Sequence, residues 1–146
     1  MLSNTKIINQ VFKENTVFFK NMISDIKFDS NYKNFKKFKT IIIIGMGGSI
    51  LGTKAIYSFL KHKIKKKLIF IDNLDENYLN HIKRNKNLSK SLFLIISKSG
   101  NTNETILNMY FLKNFLKNNN TIILTENKNN FLKKIAIKNK YFFVNH

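Results

Sequence analysis

Five short runs of β-branched and aromatic residues recur from residue 40 onward, and no other feature narrows the fold as much. They occupy 40–44, 68–71, 92–96, 121–124 and 141–144, and apolar and polar residues do not alternate within them. Unbroken runs of that kind are the pattern of strands covered on both faces. The stretches between them are long enough for helices. Residues 49–62 carry Leu51, Ala55, Ile56, Phe59 and Leu60 on one side, and 76–85 carry Tyr78, Leu79 and Ile82. In 102–117, Met109, Leu112, Phe115 and Leu116 form one stripe, and Leu107, Tyr110 and Phe111 a second. Residues 129–138 close the series. Strand, helix, strand at this spacing predicts right-handed crossovers, hence an α/β three-layer sandwich on a five-stranded parallel sheet. The double stripe on 102–117 fits either a deeply buried helix or one with a partner beyond its own sheet.

Ahead of the first run, Ile8, Val11, Phe12, Val17, Phe18 and Met22 mark a helical stripe over 6–28. Residues 1–39 therefore read as a helical lead-in and 40–146 as one domain, within the usual size of a single core. The longest apolar stretches, 41–48 and 92–96, are far shorter than the roughly 18 residues of a membrane span. No apolar region follows Met1 as in a secretory signal, so the expected setting is soluble and cytoplasmic. The absence of cysteine excludes disulfide scaffolds, thiolate metal sites and cysteine nucleophiles.

A net charge of +18 raises nucleic-acid binding as an alternative. The lysines, however, spread over the whole chain, with one dense run at 61–67, and Asn and Ile are inflated beside them. That is the mark of coding bias laid over a solvated surface, so no nucleic-acid or membrane partner is expected. A positive field still draws in small anions such as phosphate esters.

In a doubly wound sheet, ligands bind beyond the carboxyl ends of the strands, which directs attention to the turns after Ile44 and Ile96. The first reads Gly45-Met46-Gly47-Gly48-Ser49-Ile50-Leu51-Gly52 and opens a helix, whose first N–H groups are donors for an anion. It is neither a Walker loop, since Gly52 is followed by Thr53-Lys54, nor a dinucleotide fingerprint, since Ile50 stands at the third glycine. Asp72, after the second run, does sit near the fingerprint's acidic position. The second reads Ser97-Lys98-Ser99-Gly100-Asn101-Thr102-Asn103-Glu104-Thr105, a cluster of hydroxyls suited to phosphate oxygens. Asn101 with Glu104, or Thr102, also fits a helix cap. If the two strands are neighbours, both turns converge on one point. His62 and His81 fall at surface positions, and no metal-ligand motif is present, so no metal or cofactor is expected.

The stretches 43–52 and 96–105 resemble the two signatures of the amino-terminal sugar-isomerase (SIS) domain of the glucose-6-phosphate isomerase family. Those signatures are Gly-Ile-Gly-Gly-Ser-x-x-Leu-Gly, and Ser-Lys-[Ser/Thr]-x-Thr-Thr-x-Glu. The resemblance runs from about residue 40 to the end, where Tyr141-Phe142-Phe143 and His146 are similar to the stretch ahead of the family's glycine-glycine-arginine segment. Residues 1–39 match only as a helical lead-in. The resemblance implies a flavodoxin-like SIS fold, and phosphate contacts from Gly48 and Ser49. In the second loop it implies hydroxyl donors at Ser97, Ser99 and Thr102, with the backbone of Lys98, Gly100 and Asn101 completing the cradle. Glu104 would orient a catalytic group. Asn101 departs from the family's first Thr, and Gly100-Asn101-Thr102 is similar to isomerases of mannose phosphates, so the sugar stays open between glucose and mannose. The family's catalytic Glu base, His, Lys and Arg are all expected downstream of His146, so no residue of this chain is assigned a catalytic role. The resemblance thus implies an amino-terminal, phosphate-gripping part of an enzyme of glycolysis and gluconeogenesis. That part would be inactive alone, dimeric when intact, and independent of any cofactor. A stand-alone phosphosugar-binding SIS module is the alternative.

Overall fold

The computed structural model describes residues 30–146; the helical stripe expected over 6–28 lies outside the described residues. A 3₁₀ turn, Ser30–Phe35, leads into β1 (Thr40–Ile44), α1 (Gly48–Leu60), β2 (Lys67–Ile71), α2 (Glu76–Lys83) and β3 (Leu92–Ile96). Then come α3 (Asn103–Phe111), β4 (Thr121–Thr125), α4 (Phe131–Asn139) and β5 (Phe142–Asn145). All five strands are parallel, in the order β2-β1-β3-β4-β5, with Ile44 opposite Ile71 on one side and Ile95 on the other. The chain winds outward from β1 to β2, then returns to β3 and continues the opposite way. The reversal puts a topological switch point between β1 and β3.

Alternate residues of each strand serve opposite faces, and the two faces are covered unequally. On one, Ile42, Ile44, Ile71, Phe93, Ile95 and Ile123 pack against Leu79 and Ile82 of α2, Met109 of α3, Leu112, and Leu132 and Ala136 of α4. Each of these side chains larger than alanine contributes about 1.5–3 kcal/mol when removed from water. On the other face, Ile43 and Ile96 meet Ile50, the one buried residue of α1. Phe35 and Phe38 fill the far end of that face with Leu92, Ile122 and Phe142. The sandwich thus reaches back past residue 40, since residues 33–146 form one compact unit.

The helix expected over 102–117 ends early, at Phe111, and a 3₁₀ turn, Lys113–Phe115, follows. Asn120 supplies the reason. Its buried carboxamide accepts from the Lys117 N–H at 2.8 Å and donates to the Phe115 carbonyl at 3.1 Å, giving those groups partners outside a helix. Met109 and Leu112 still reach the core, whereas Leu107 and Tyr110, of the second stripe, are exposed. No helix among the described residues is long and apolar enough to cross a membrane.

Candidate functional site

Both glycine- and hydroxyl-bearing turns leave the sheet at the switch point, on adjacent strands. Gly45 donates its N–H to the Ile71 carbonyl at 3.2 Å, and a Cβ added to it would stand 3.0 Å from the carbonyl oxygen of Ile96. That contact is tighter than a side chain accepts comfortably. Glycine here lets the exit from β1 lie directly against the exit from β3. Gly47, the N-cap of α1, has φ 51 and ψ −125, which only glycine adopts without strain.

The hydrogen bonds of the first turn run one way. The Met46 carbonyl accepts from Ser49, and the Gly47 carbonyl from Ile50 and Leu51, all at 3.1 Å. Among the described residues, the N–H groups of Met46, Gly47 and Gly48 have no acceptor. No side chain caps α1. The exit from β1 is therefore a cluster of donors at the positive end of a helix dipole.

The second turn has the same polarity, built by different means. Two of its carbonyls are drawn toward β4 and α4. Lys98 accepts from the Glu126 N–H at 3.1 Å and the Thr125 hydroxyl at 3.2 Å, and Gly100 accepts from the Leu132 N–H at 3.1 Å. Ser97 accepts from the Gly100 N–H at 3.1 Å. The N–H groups of Lys98, Ser99 and Thr102, and those of Asn103, Glu104 and Thr105 at the start of α3, are left without acceptors among the described residues. Gly100, at φ 68, lies flat on the side chain of Asn130, which holds the Thr125 hydroxyl and the Glu126 carbonyl and caps α4 at Lys133.

The hydroxyls divide into a support and a surface. Ser97 is buried; its oxygen accepts from the Gly100 N–H at 3.2 Å and pairs with the Thr102 hydroxyl at 2.8 Å. Two hydroxyl protons serve that pair and only one is needed between the oxygens, so the other remains to donate. Ser99 is exposed and accepts from the Asn101 N–H at 3.3 Å, which leaves its own proton uncommitted. The capping expectation is corrected. Thr102 occupies the N-cap position of α3 without capping it, because its hydroxyl is turned to Ser97. Asn101 instead accepts from the Phe131 N–H at 3.0 Å, at the start of α4. Glu104 lies half-buried in the first turn of α3, where a carboxylate suits the helix dipole. Gly48 is exposed, Ser49 half-buried and Lys98 exposed.

Sequence reasoning missed Asn130 and Asn108, and the particular need for glycine at Gly45. Asn130, followed three residues later by Lys133 at the head of an apolar stripe, carries a capping signal that was there to read. Asn108 is fully buried on α3 and donates to the Asn73 carbonyl at 3.0 Å, tying that helix to the turn after β2, and no local pattern announces it. His62 and His81 are exposed. His146 is exposed as well, just past β5, and its N–H donates to the Thr125 carbonyl at 3.0 Å, so its backbone extends the pairing of β5 with β4. That contact gives His146 a place at the sheet's edge strand and no part in either turn. Among the described residues no three His, Asp or Glu side chains are disposed to hold a metal ion.

Comparison with known proteins finds relatives of the chain. A family model described as phosphoglucose isomerase matches residues 5–141. The glucose-6-phosphate isomerase of Borrelia garinii subsp. bavariensis is 48% identical over 92 residues, covering 59% of this chain and 17% of that protein. That of Methanocaldococcus jannaschii is 38% identical over 123 residues, covering 80% of this chain and 30% of that protein. Among solved structures, a glucose-6-phosphate isomerase from Chlamydia trachomatis covers 100% of this chain and 28% of its own, with TM-score 0.63 at 24% identity. A hypothetical protein from Thermus thermophilus covers 75% of this chain and 28% of its own, with TM-score 0.69 at 22% identity. The chain spans less than a third of the length of each of these relatives.

Proposed function

The chain belongs to the phosphoglucose isomerase family, and from that premise we propose that it supplies the sugar-phosphate grip of a glucose-6-phosphate isomerase. The observation that carries the reading is the shared polarity of two adjacent turns. The carbonyls of Met46 and Gly47, and those of Ser97, Lys98 and Gly100, accept hydrogen bonds, while the N–H groups of Met46, Gly47, Gly48, Lys98, Ser99 and Thr102 are left over on the two sides of one switch point. A phosphate dianion is the ligand that such a donor set fits best. The Gly48 N–H and the Ser49 hydroxyl donate from the first turn; the backbone of Lys98, Ser99 and Thr102, with the hydroxyls of Ser99 and Thr102, donates from the second. Ser97 and Asn101 act from behind, one by orienting Thr102 and the other by anchoring the loop to α4.

Held there, the phosphate places the sugar carbons for proton transfer through an enediol, and binding energy at the remote group is used for orientation. Glu104 is the one acid in either turn, and its place in the first turn of α3 suits the orienting of a partner better than proton abstraction. The reading therefore assigns binding to these residues and the acid–base step to groups elsewhere in a homodimeric, cytoplasmic enzyme of glycolysis and gluconeogenesis.

Isothermal titration of the 146-residue chain tests the grip. Glucose 6-phosphate and inorganic phosphate are expected to bind, and glucose is not. Ser99→Ala with Thr102→Val removes two donors to a charged group and should weaken phosphate binding at least about tenfold. Equal affinity for glucose and its phosphate would refute the assignment. Nucleic-acid binding predicts instead an affinity that falls steeply with salt and ignores these two substitutions. Purified chain is expected to show no conversion of glucose 6-phosphate to fructose 6-phosphate by NMR, and turnover would overturn the division of roles.

A further inference from the structure

α1 presents its amino end to the proposed phosphate, yet it is lightly attached to the sheet. Ile50 is its one buried side chain, and Leu51, Ile56 and Phe59 are all exposed. Side-chain contacts to β2 and to the residue after it also hold it. Tyr57 packs on Phe70 of β2 with ring centroids 5.7 Å apart, and Lys54 pairs with Asp72, the residue that follows β2. Lys54 is the only charged residue of the thirteen in α1, and its ammonium also stands 5.8 Å from the Phe70 ring centroid. Only one other ion pair occurs among the described residues, the local Lys128–Glu126 contact. The Lys54–Asp72 pair alone joins separate elements.

Its place connects it to the site. Asp72 follows Ile71, whose carbonyl holds the Gly45 N–H. Lys54 lies six residues past Gly48, about 9 Å along the helix axis. The Tyr78 phenol is kept above its ordinary value by partial burial first and by Asp72 second.

We propose that the Lys54–Asp72 pair is a positioning clamp that fixes the attitude of α1, and so aims the Gly47–Ser49 donors at the switch point. The inference rests on the phosphate reading and adds to it a pair of residues that touch no ligand. A clamp and a direct charge effect have opposite signatures. Removing Lys54 takes a positive charge from the neighbourhood of the anion, and removing Asp72 takes away a negative one. If charge alone mattered, Lys54→Met would weaken phosphate binding and Asp72→Asn would strengthen it. A clamp requires both to weaken it.

The experiment follows the Gly47, Gly48 and Ser49 amides of the ¹⁵N-labelled chain by NMR during titration with inorganic phosphate. Both variants are expected to lose about three- to fivefold in affinity, the limit set by a half-exposed ion pair. Lys54→Arg, which keeps charge and reach, should restore affinity to within about twofold. Affinity equal to or tighter than that of the unmodified chain in Asp72→Asn would overturn the clamp. Hydrogen exchange of the α1 amides, recorded without phosphate, is an independent measure. Faster exchange in both variants upholds the clamp, and unchanged exchange overturns it. An unmodified chain whose turn amides ignore phosphate refutes the phosphate reading instead, and exchange alone then decides the clamp.

Discussion

Gly100 and Lys140 both have left-handed backbones, at φ 68 and φ 56, with opposite consequences for substitution. At Gly100 an added Cβ would fall 2.2 Å from the Asn130 carboxamide, which cannot yield because its nitrogen and oxygen hold three partners. Gly100→Ala is expected to cost about 2–4 kcal/mol, combining left-handed strain with the displaced cap. Lys140, at the C-cap of α4, bears the same strain in the open, so Lys140→Gly should stabilise by about 0.5–1 kcal/mol. Urea midpoints at constant m-value measure both, and a shared sign would contradict the account. The hydroxyl cluster shows where residue-level reading stops. Four hydroxyls in nine positions were plain in the sequence, but their division was not, because burial of Ser97 depends on what packs over it. Ser97→Ala should destabilise by about 0.5–1.5 kcal/mol through the lost pairing with the Thr102 hydroxyl, since the Gly100 N–H keeps the Ser97 carbonyl, while Ser99→Ala should stay within about 0.5 kcal/mol of the unmodified chain.

Among the elements, strands were the most legible, since runs such as Ile41-Ile42-Ile43-Ile44 have few alternatives to a sheet interior. Helix faces were less so. Leu51, Ala55, Ile56 and Phe59 share one side of α1, as the spacing indicates, yet Leu51, Ile56 and Phe59 are 60%, 62% and 79% exposed. Periodicity reveals that residues share a face and cannot say what meets it. Helix ends fail for another reason. The stop of α3 depends on Asn120, a loop residue whose hydrogen bonds form only when the chain has already turned. Two substitutions on α1 test this picture. Gly52 is exposed, with nothing within 4 Å of an added Cβ, so Gly52→Ala should raise stability by about 0.5–1 kcal/mol through helix propensity. Phe59→Gln should leave stability within about 0.5 kcal/mol, where a core phenylalanine would cost several. A large loss on Phe59→Gln would show that the side chain is covered in solution.

At the scale of the molecule, the pattern of runs gave parallel crossovers but left strand order open, and the site depends on that order. Gly45 can be seen to need glycine only once β1 lies beside β3, because the obstructing atom belongs to Ile96, far away in sequence. Charge acts at this scale too. With 26 basic residues against 8 acidic ones, the folded chain repels itself, so raising salt from about 0.02 M to about 0.5 M should raise Tm as the Debye length shrinks. On the alkaline limb, two phenols contribute. Burial raises the phenols of Tyr78 and Tyr141 above 10.0. The unfolded chain therefore loses these protons first, and the stability they confer, whole below pH 10, fades as pH climbs through the folded values. Comparison with Tyr78→Phe/Tyr141→Phe isolates the phenols, because everything else is common to both chains. The Tm difference between the two proteins should hold steady to about pH 9.5 and shift in favour of the variant beyond it. Curves that stay parallel to pH 11 would mean that both phenols ionise as freely in the folded chain as in the unfolded one.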